Sequence, residues 1–190
     1  MLTFNENGWC IEATQVPSPN FDSRPTGTTA ELIVIHNISL PPGEFGGPYI
    51  ADLFLNRLDF DVHPYFDRLR NARVSAHFLV RRDGELKQFV SVHKRAWHAG
   101  VSNFRGRSQC NDFSIGIEME GTDDGPYTDS QYRVLADLTV ALAAFLPVTS
   151  VVSHQVIAPA RKTDPGPHFD WARYEKEVLS NANLELGFYA

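Results

Sequence analysis

His154, Lys162 and Asp164 fall in one stretch, Ser153 to Asp170, that is broken by Pro159, Pro165 and Pro167. Proline removes backbone donors and restricts the residue before it, so this stretch is expected to be a loop held over something rather than a helix or a central strand. Lys162 lies two residues before Asp164, so in extended chain the two project to one side. A nitrogen ligand, an oxygen ligand and a cation on one constrained loop suit a metal site at which negative charge develops. His36 is a third candidate ligand. Two imidazoles and one carboxylate with an open fourth position suit catalytic zinc. The three are distant in sequence and show no helical ligand spacing, so at this point a set of satisfied structural side chains is the competing reading.

These residues need elements to position them. Leu32-Ile33-Val34-Ile35 is a continuous apolar run that reads as a central buried strand ending at His36. Ligand groups gather where such strands emerge, and a buried core histidine is the alternative. Phe113 to Glu120 alternates, with Phe113, Ile115, Ile117 and Met119 on one face and Ser114, Gly116, Glu118 and Glu120 on the other. Glu118 there is either a general base or part of a solvated face, and Gly116 hints at close approach of another group. Ala76–Val80 and Leu86–Val90 flank Asp83-Gly84, which predicts a hairpin with a type I′ turn. His77, at its start, reads as a buried structural histidine. Trp97 and His98 either line a pocket or anchor a packed loop.

Thr128-Asp129-Ser130-Gln131 is a capping box that opens a helix with an apolar stripe from Tyr132 to Phe145, stopped before Pro147. Pro48 opens a shorter helix that carries Ile50, Phe54, Leu55 and Leu58 at helical spacing. Residues 59–73 read mostly as loop. Ser150-Val151-Val152 is a short strand that delivers His154. Asp170 caps a last helix, with Phe169 and Tyr174 as a hydrophobic staple. Residues 1–30 are expected to wrap the domain, and 180–190 to fray.

The 190 residues suit one domain with a real core, and 43% hydrophobic against 21% charged residues is the balance of a globular protein. A net charge of -6 and a pI of about 5.6 argue against a duplex nucleic-acid binder. Cys10 and Cys110 are expected to be free thiols, as in a reducing compartment. The first residues show neither a basic nor an apolar signal region, and no apolar run approaches the ~18 residues of a membrane span. The expectation is a cytoplasmic chain without membrane or nucleic-acid partners.

Five segments, in this order, carry a resemblance. They are Ile35-His36-Asn37-Ile38-Ser39-Leu40-Pro41-Pro42-Gly43, Val74-Ser75-Ala76-His77-Phe78, Arg95-Ala96-Trp97-His98-Ala99-Gly100-Val101, Cys110 through Glu118, and Ile157-Ala158-Pro159 with Arg161-Lys162-Thr163-Asp164-Pro165-Gly166. Together they resemble the AmpD family of 1,6-anhydro-N-acetylmuramyl-L-alanine amidases, which is related to phage-lysozyme-type amidases and peptidoglycan recognition proteins. The resemblance spans Trp9 to about Tyr174. It implies an α/β fold, a central mixed β-sheet flanked by helices, forming a single zinc amidase domain over 1–190. It implies one Zn2+ per chain on His36, His154 and Asp164, with Glu118 and Lys162 catalytic. It places Asn37, Arg73, Trp97, His98 and Ala99 in the substrate groove. It further implies a monomer that acts on a small anhydro-muropeptide in cytoplasmic murein recycling, and through it on β-lactamase induction. A non-catalytic muropeptide-binding module and a secreted or phage-type murein lysin are the alternatives.

Overall fold

The computed structural model describes residues 2–181 and 184–190. The N-terminal arm contributes β1 (Thr14–Gln15) and β2 (Phe21–Ser23), and β3 (Leu32–Ile38) follows. After α1 (Tyr49–Phe54) and a 3-10 turn (Pro64–Leu69) come β4 (Phe78–Val80), β5 (Leu86–Gln88) and β6 (Lys94–Ala96). A small ribbon, β7 (Asn103–Phe104) and β8 (Arg107–Ser108), precedes a 3-10 turn (Cys110–Phe113) and β9 (Ser114–Glu120). The chain then runs through α2 (Asp129–Phe145), β10 (Ser150–Ser153), α3 (His154–Ile157), α4 (Trp171–Asn181) and β11 (Gly187–Tyr189).

The main sheet has the order β1-β5-β4-β9-β3-β10-β11. Only the β4–β5 pair is antiparallel, so the sheet is mixed, as expected. β3 and β9 lie at its middle and are buried along almost their whole length. That is why β3 reads as an apolar run. In β9, Ile115, Ile117 and Met119 enter the core shared with Leu135, Leu138 and Leu142 of α2 and Tyr174 and Val178 of α4. Burying each such side chain contributes about 1.5–3 kcal/mol. Leu32, Val34, Ala99, Val152 and Ile157 form a smaller cluster on the opposite side.

Local signals specify the helix ends. Thr128 accepts from the Gln131 backbone at 3.1 Å while Gln131 accepts from the Thr128 backbone at 3.1 Å, which completes the capping box of α2. The Asp170 carboxylate caps α4 by accepting from Arg173 N at 2.9 Å, and the Phe169 and Tyr174 rings meet at 5.6 Å between centroids.

Several expectations are corrected. The β4–β5 turn has positive φ at Gly84 (+92°) but not at Asp83, so a three-residue loop with one left-handed glycine replaces the type I′ turn. Residues 59–73 contain the 3-10 turn Pro64–Leu69, with His63 as its cap. α1 stops at Phe54, because Asn56 takes a left-handed conformation (φ 57°). The stretch from Ser153 is not loop throughout. His154–Ile157 form one helical turn, capped by Ser153 Oγ on Val156 N at 3.1 Å, before the prolines take over. The tail does not fray at its far part: β11 extends the sheet in parallel beside β10. Residues 182 and 183 of that tail lie outside the described residues. Cys10 and Cys110 are free and buried. No helix among the described residues is long and apolar enough to cross a membrane.

Candidate active site

Three parallel neighbours, β9, β3 and β10, present their carboxyl ends together. The register places His36 directly opposite Glu118, and Ser153 opposite Ile35. His154 is the next residue after Ser153. One row across three strands therefore holds Glu118, His36 and the entry of His154. The loop beyond α3 returns to this row and brings Lys162 and Asp164, with Gln155 N donating to the Asp164 carbonyl at 3.1 Å.

His36, His154 and Asp164 offer one donor atom each within 4.8 Å of one another. His36 Nδ1 lies 2.9 Å from His154 Nδ1 and 3.0 Å from Asp164 Oδ2, and His154 Nδ1 lies 2.9 Å from the same oxygen. His154 Nε2 faces the Ala99 carbonyl at 3.1 Å. A carbonyl only accepts, so Nε2 carries the proton and the Nδ1 lone pair faces the other two donors. Two nitrogens and a carboxylate oxygen in this packing suit a tetrahedral cation with one position open to the cleft. Burial holds the His36 imidazole neutral, with its pKa pushed down to about 4. Burial opposes ionisation of Asp164, but its close approach to the His154 and His36 rings outweighs that and holds the carboxyl far below its ordinary range.

Glu118 is 9% exposed and lines the same cleft. Its pKa is raised well above the ordinary carboxylate value, first by burial and then by the charge of Asp164, with Lys162 opposing. Oε2 has no hydrogen-bond partner among the described residues. The Lys162 ammonium also lines the cleft, without an ion pair or hydrogen bond among the described residues. A buried carboxyl with an unused oxygen and an uncommitted ammonium, in the same cleft as a metal-type triad, can move a proton and meet a developing negative charge.

The cleft is about 670 Å³ in volume. Part of its lining is apolar, where Leu40, Leu53, Tyr65, Leu69 and Val74 belong to one hydrophobic cluster. Of the five residues expected to contact substrate, Asn37, Trp97 and His98 line it. Arg73 is exposed, with Nη1 on the Ala72 carbonyl, and Ala99 is fully buried; neither is part of the lining. Ala99 instead offers its carbonyl to His154 and, at 2.6 Å, to Arg161. The Asn37 amide is largely engaged: Nδ2 donates to Asp123 Oδ1 at 2.7 Å and to the Pro165 carbonyl at 3.0 Å. Thr163 Oγ1 donates to Asp123 Oδ2 at 2.5 Å, and the Tyr127 hydroxyl donates to Pro165 O at 2.8 Å. Gly166 (φ +83°) lies so close that a Cβ would stand 2.5 Å from Asp123 Cα. Asp123, Tyr127 and Arg161 thus support the site without any spacing signal of their own. Asp123 sits in the acidic turn between β9 and α2.

Fold and site together define a hydrolase-type centre at the carboxyl ends of a mixed sheet. The sequence profile of the N-acetylmuramoyl-L-alanine amidases matches residues 26–167, and the chain belongs to that family. It is an amidase. The 1,6-anhydro-N-acetylmuramyl-L-alanine amidase AmpD of Escherichia coli (strain K12) is 57% identical over 171 residues, covering 89% of this chain and 93% of the relative. The AmpD of Salmonella typhimurium (strain SL1344) is 55% identical over 183 residues, covering 95% and 98%. A crystal structure of an AmpD selenomethionine derivative superposes with a TM-score of 0.89 at 55% identity, covering 94% of this chain and 99% of that one. A complex of E. coli AmiD with anhydro-N-acetylmuramic acid-L-Ala-D-γ-Glu-L-Lys superposes with a TM-score of 0.56 at 27% identity, covering 93% and 66%.

Proposed function

We propose that this chain hydrolyses the amide between the lactyl group of 1,6-anhydro-N-acetylmuramic acid and the L-alanine of a stem peptide. The reaction uses one zinc ion held by His36, His154 and Asp164. The observation that carries the reading is the convergence of two Nδ1 atoms and Asp164 Oδ2 beside Glu118 and Lys162. The AmpD relatives, each more than half identical, support the anhydro-sugar substrate. Zinc in that triad supplies Lewis acidity.

The chain's own groups do the rest. Glu118 takes a proton from the attacking water, which adds to the lactyl carbonyl carbon. The ammonium of Lys162 stabilises the charge that develops on the carbonyl oxygen, a kind of help typically worth about 3–4 kcal/mol. Glu118 then returns the proton to the nitrogen of the leaving L-alanine. The products are a free lactyl carboxylate and a peptide with a free amine. Asn37, Trp97 and His98 border the place the substrate would take. The same reading makes the protein a monomeric, cytoplasmic, single-domain enzyme of murein recycling, with an indirect influence on β-lactamase induction.

A zinc assay paired with turnover tests this. Purified protein should contain about one zinc per chain and cleave a soluble anhydro-muropeptide. His36→Ala should lower metal content and turnover together. Preference for intact polymeric murein would make it a lysin, and full zinc retention in His36→Ala would mean the ligand set is misread.

A further inference from the structure

His98 lies against the sheet in a way that a pocket-lining side chain does not require. Its ring covers Gly116 of β9, where a Cβ would stand 2.4 Å from the His98 Cγ, so only glycine leaves room for it. The backbone N–H groups of His98 and Ala99 both donate to Asn111 Oδ1, at 3.1 and 2.8 Å. The ring's two nitrogens are also engaged. His98 Nδ1 lies 2.9 Å from His36 Nε2, and His98 Nε2 lies 3.2 Å from Ser114 Oγ. Ser114 Oγ in turn donates to the Cys110 carbonyl at 2.6 Å.

The direction of this chain follows from its last member. The Cys110 carbonyl only accepts, so it takes the single proton of the Ser114 hydroxyl. Ser114 Oγ must then accept from His98, which places the imidazole proton on Nε2 and leaves Nδ1 as a lone pair. That lone pair accepts from His36 Nε2–H. His36 Nδ1 is therefore left unprotonated, facing His154 and Asp164. Within this relay, reversing one link leaves two donors or two acceptors face to face in a buried place, which costs free energy. At its far end the unprotonated Nδ1 atoms of His36 and His154 beside Asp164 Oδ2 are acceptors left for a cation to satisfy.

We propose that His98 and Ser114 are positioning residues, a relay from the Cys110 carbonyl that fixes the tautomer of His36 and aims its lone pair at the metal. Ala99 O does the same for His154 directly, so one segment seated on Asn111 orients both imidazole ligands. Partners of this kind are typically worth tenfold to a hundredfold in metal affinity.

The inference rests on the zinc reading, and the test separates the two. Zinc dissociation constants from chelator competition and long-range 1H–15N spectra of His36 in zinc-free protein are compared for wild type, His98→Ala, His98→Asn and Ser114→Ala. The wild type should show His36 as the Nε2–H tautomer. His98→Ala and Ser114→Ala should show mixed tautomers and zinc binding weakened by about tenfold to a hundredfold. His98→Asn, whose amide oxygen can accept near the place of Nδ1, should recover much of that loss. Should His98→Ala not fold, Ser114→Ala, which deletes one buried oxygen, decides. Unchanged zinc affinity and tautomer in the folded variants, with only KM raised, would make His98 a substrate contact and overturn the relay. A wild type that binds no zinc would instead overturn the metal reading.

Discussion

Glu118 holds a carboxyl group in surroundings that favour its proton. Burial and the negative charge of Asp164 push its pKa up, and only Lys162 pulls the other way. A group poised in this manner can accept a proton from water and release it to an amine, which an ordinary surface carboxylate does poorly. Glu118→Gln keeps the shape and removes the base. It should retain zinc by elemental analysis and lose about 10²–10⁴-fold in turnover of an anhydro-muropeptide; near-normal turnover would remove Glu118 from its proposed role. The residue types were legible in the sequence because chemistry narrows them: a histidine just ahead of a proline-broken loop that carries a lysine and an aspartate is a pattern suited to a metal site. What each side chain touches was not legible. Ala99 reads as part of a groove, yet its buried carbonyl serves His154 and Arg161. A backbone carbonyl leaves no trace in residue type.

At the scale of elements, strand register brings the pieces together. A slip of one residue between β3 and β9 would turn either His36 or Glu118 to the wrong face. Buried β3 and alternating β9 were both readable, since burial of both faces and alternation are local patterns. The capping box of α2 and the staple of α4 were readable for the same reason. The helical turn at His154 was hidden because the prolines that follow dominate the composition of the segment, while its Ser153 cap is a single residue. The knot around Asp123 is a long-range arrangement between the turn after β9 and the loop after α3. Asp123→Ala removes the acceptor shared by Asn37 and Thr163. Each hydrogen bond to a charged group contributes about 1.5–3 kcal/mol, less where solvent reaches it, so a loss of roughly 2 kcal/mol in stability is expected. Zinc affinity should fall with it, because Asp164 sits on the released loop. Denaturant unfolding and chelator competition would read both, and an effect on stability alone would detach this knot from the site.

For the whole molecule, buried histidines shape the response to acid. His77 accepts from Gly116 N at 3.0 Å through Nδ1, and its Nε2 faces the Lys94 carbonyl at 3.0 Å. Burial, reinforced by Arg24, pushes its pKa down to about 3, and burial pushes that of His36 down to about 4, from an ordinary 6.5. Between 6.5 and those values the unfolded chain takes up protons that the folded chain refuses. The stability these groups contribute is complete above pH 6.5 and is lost as pH falls toward 4 and 3. Glu118 acts in the opposite sense, since a raised carboxyl binds its proton more readily in the folded state. Zinc-free Glu118→Gln protein therefore isolates the histidines. Its unfolding free energy should drop by roughly 2 kcal/mol per histidine between pH 6.5 and pH 5, and a flat profile there would show that the imidazoles ionise freely when folded.

The order of the strands carries one more consequence. The three donors sit on β3, just past β10 and beyond α3, so they meet only after β3 has found β10, about 115 residues further along the chain. A chain still emerging from the ribosome, or one whose central pairings are open, holds His36 alone or a donor pair that never converges, and has little grip on a metal. A metal held by these donors would then come as a late seal on a finished molecule rather than as a seed for its folding, and half-built copies would hold no working catalyst.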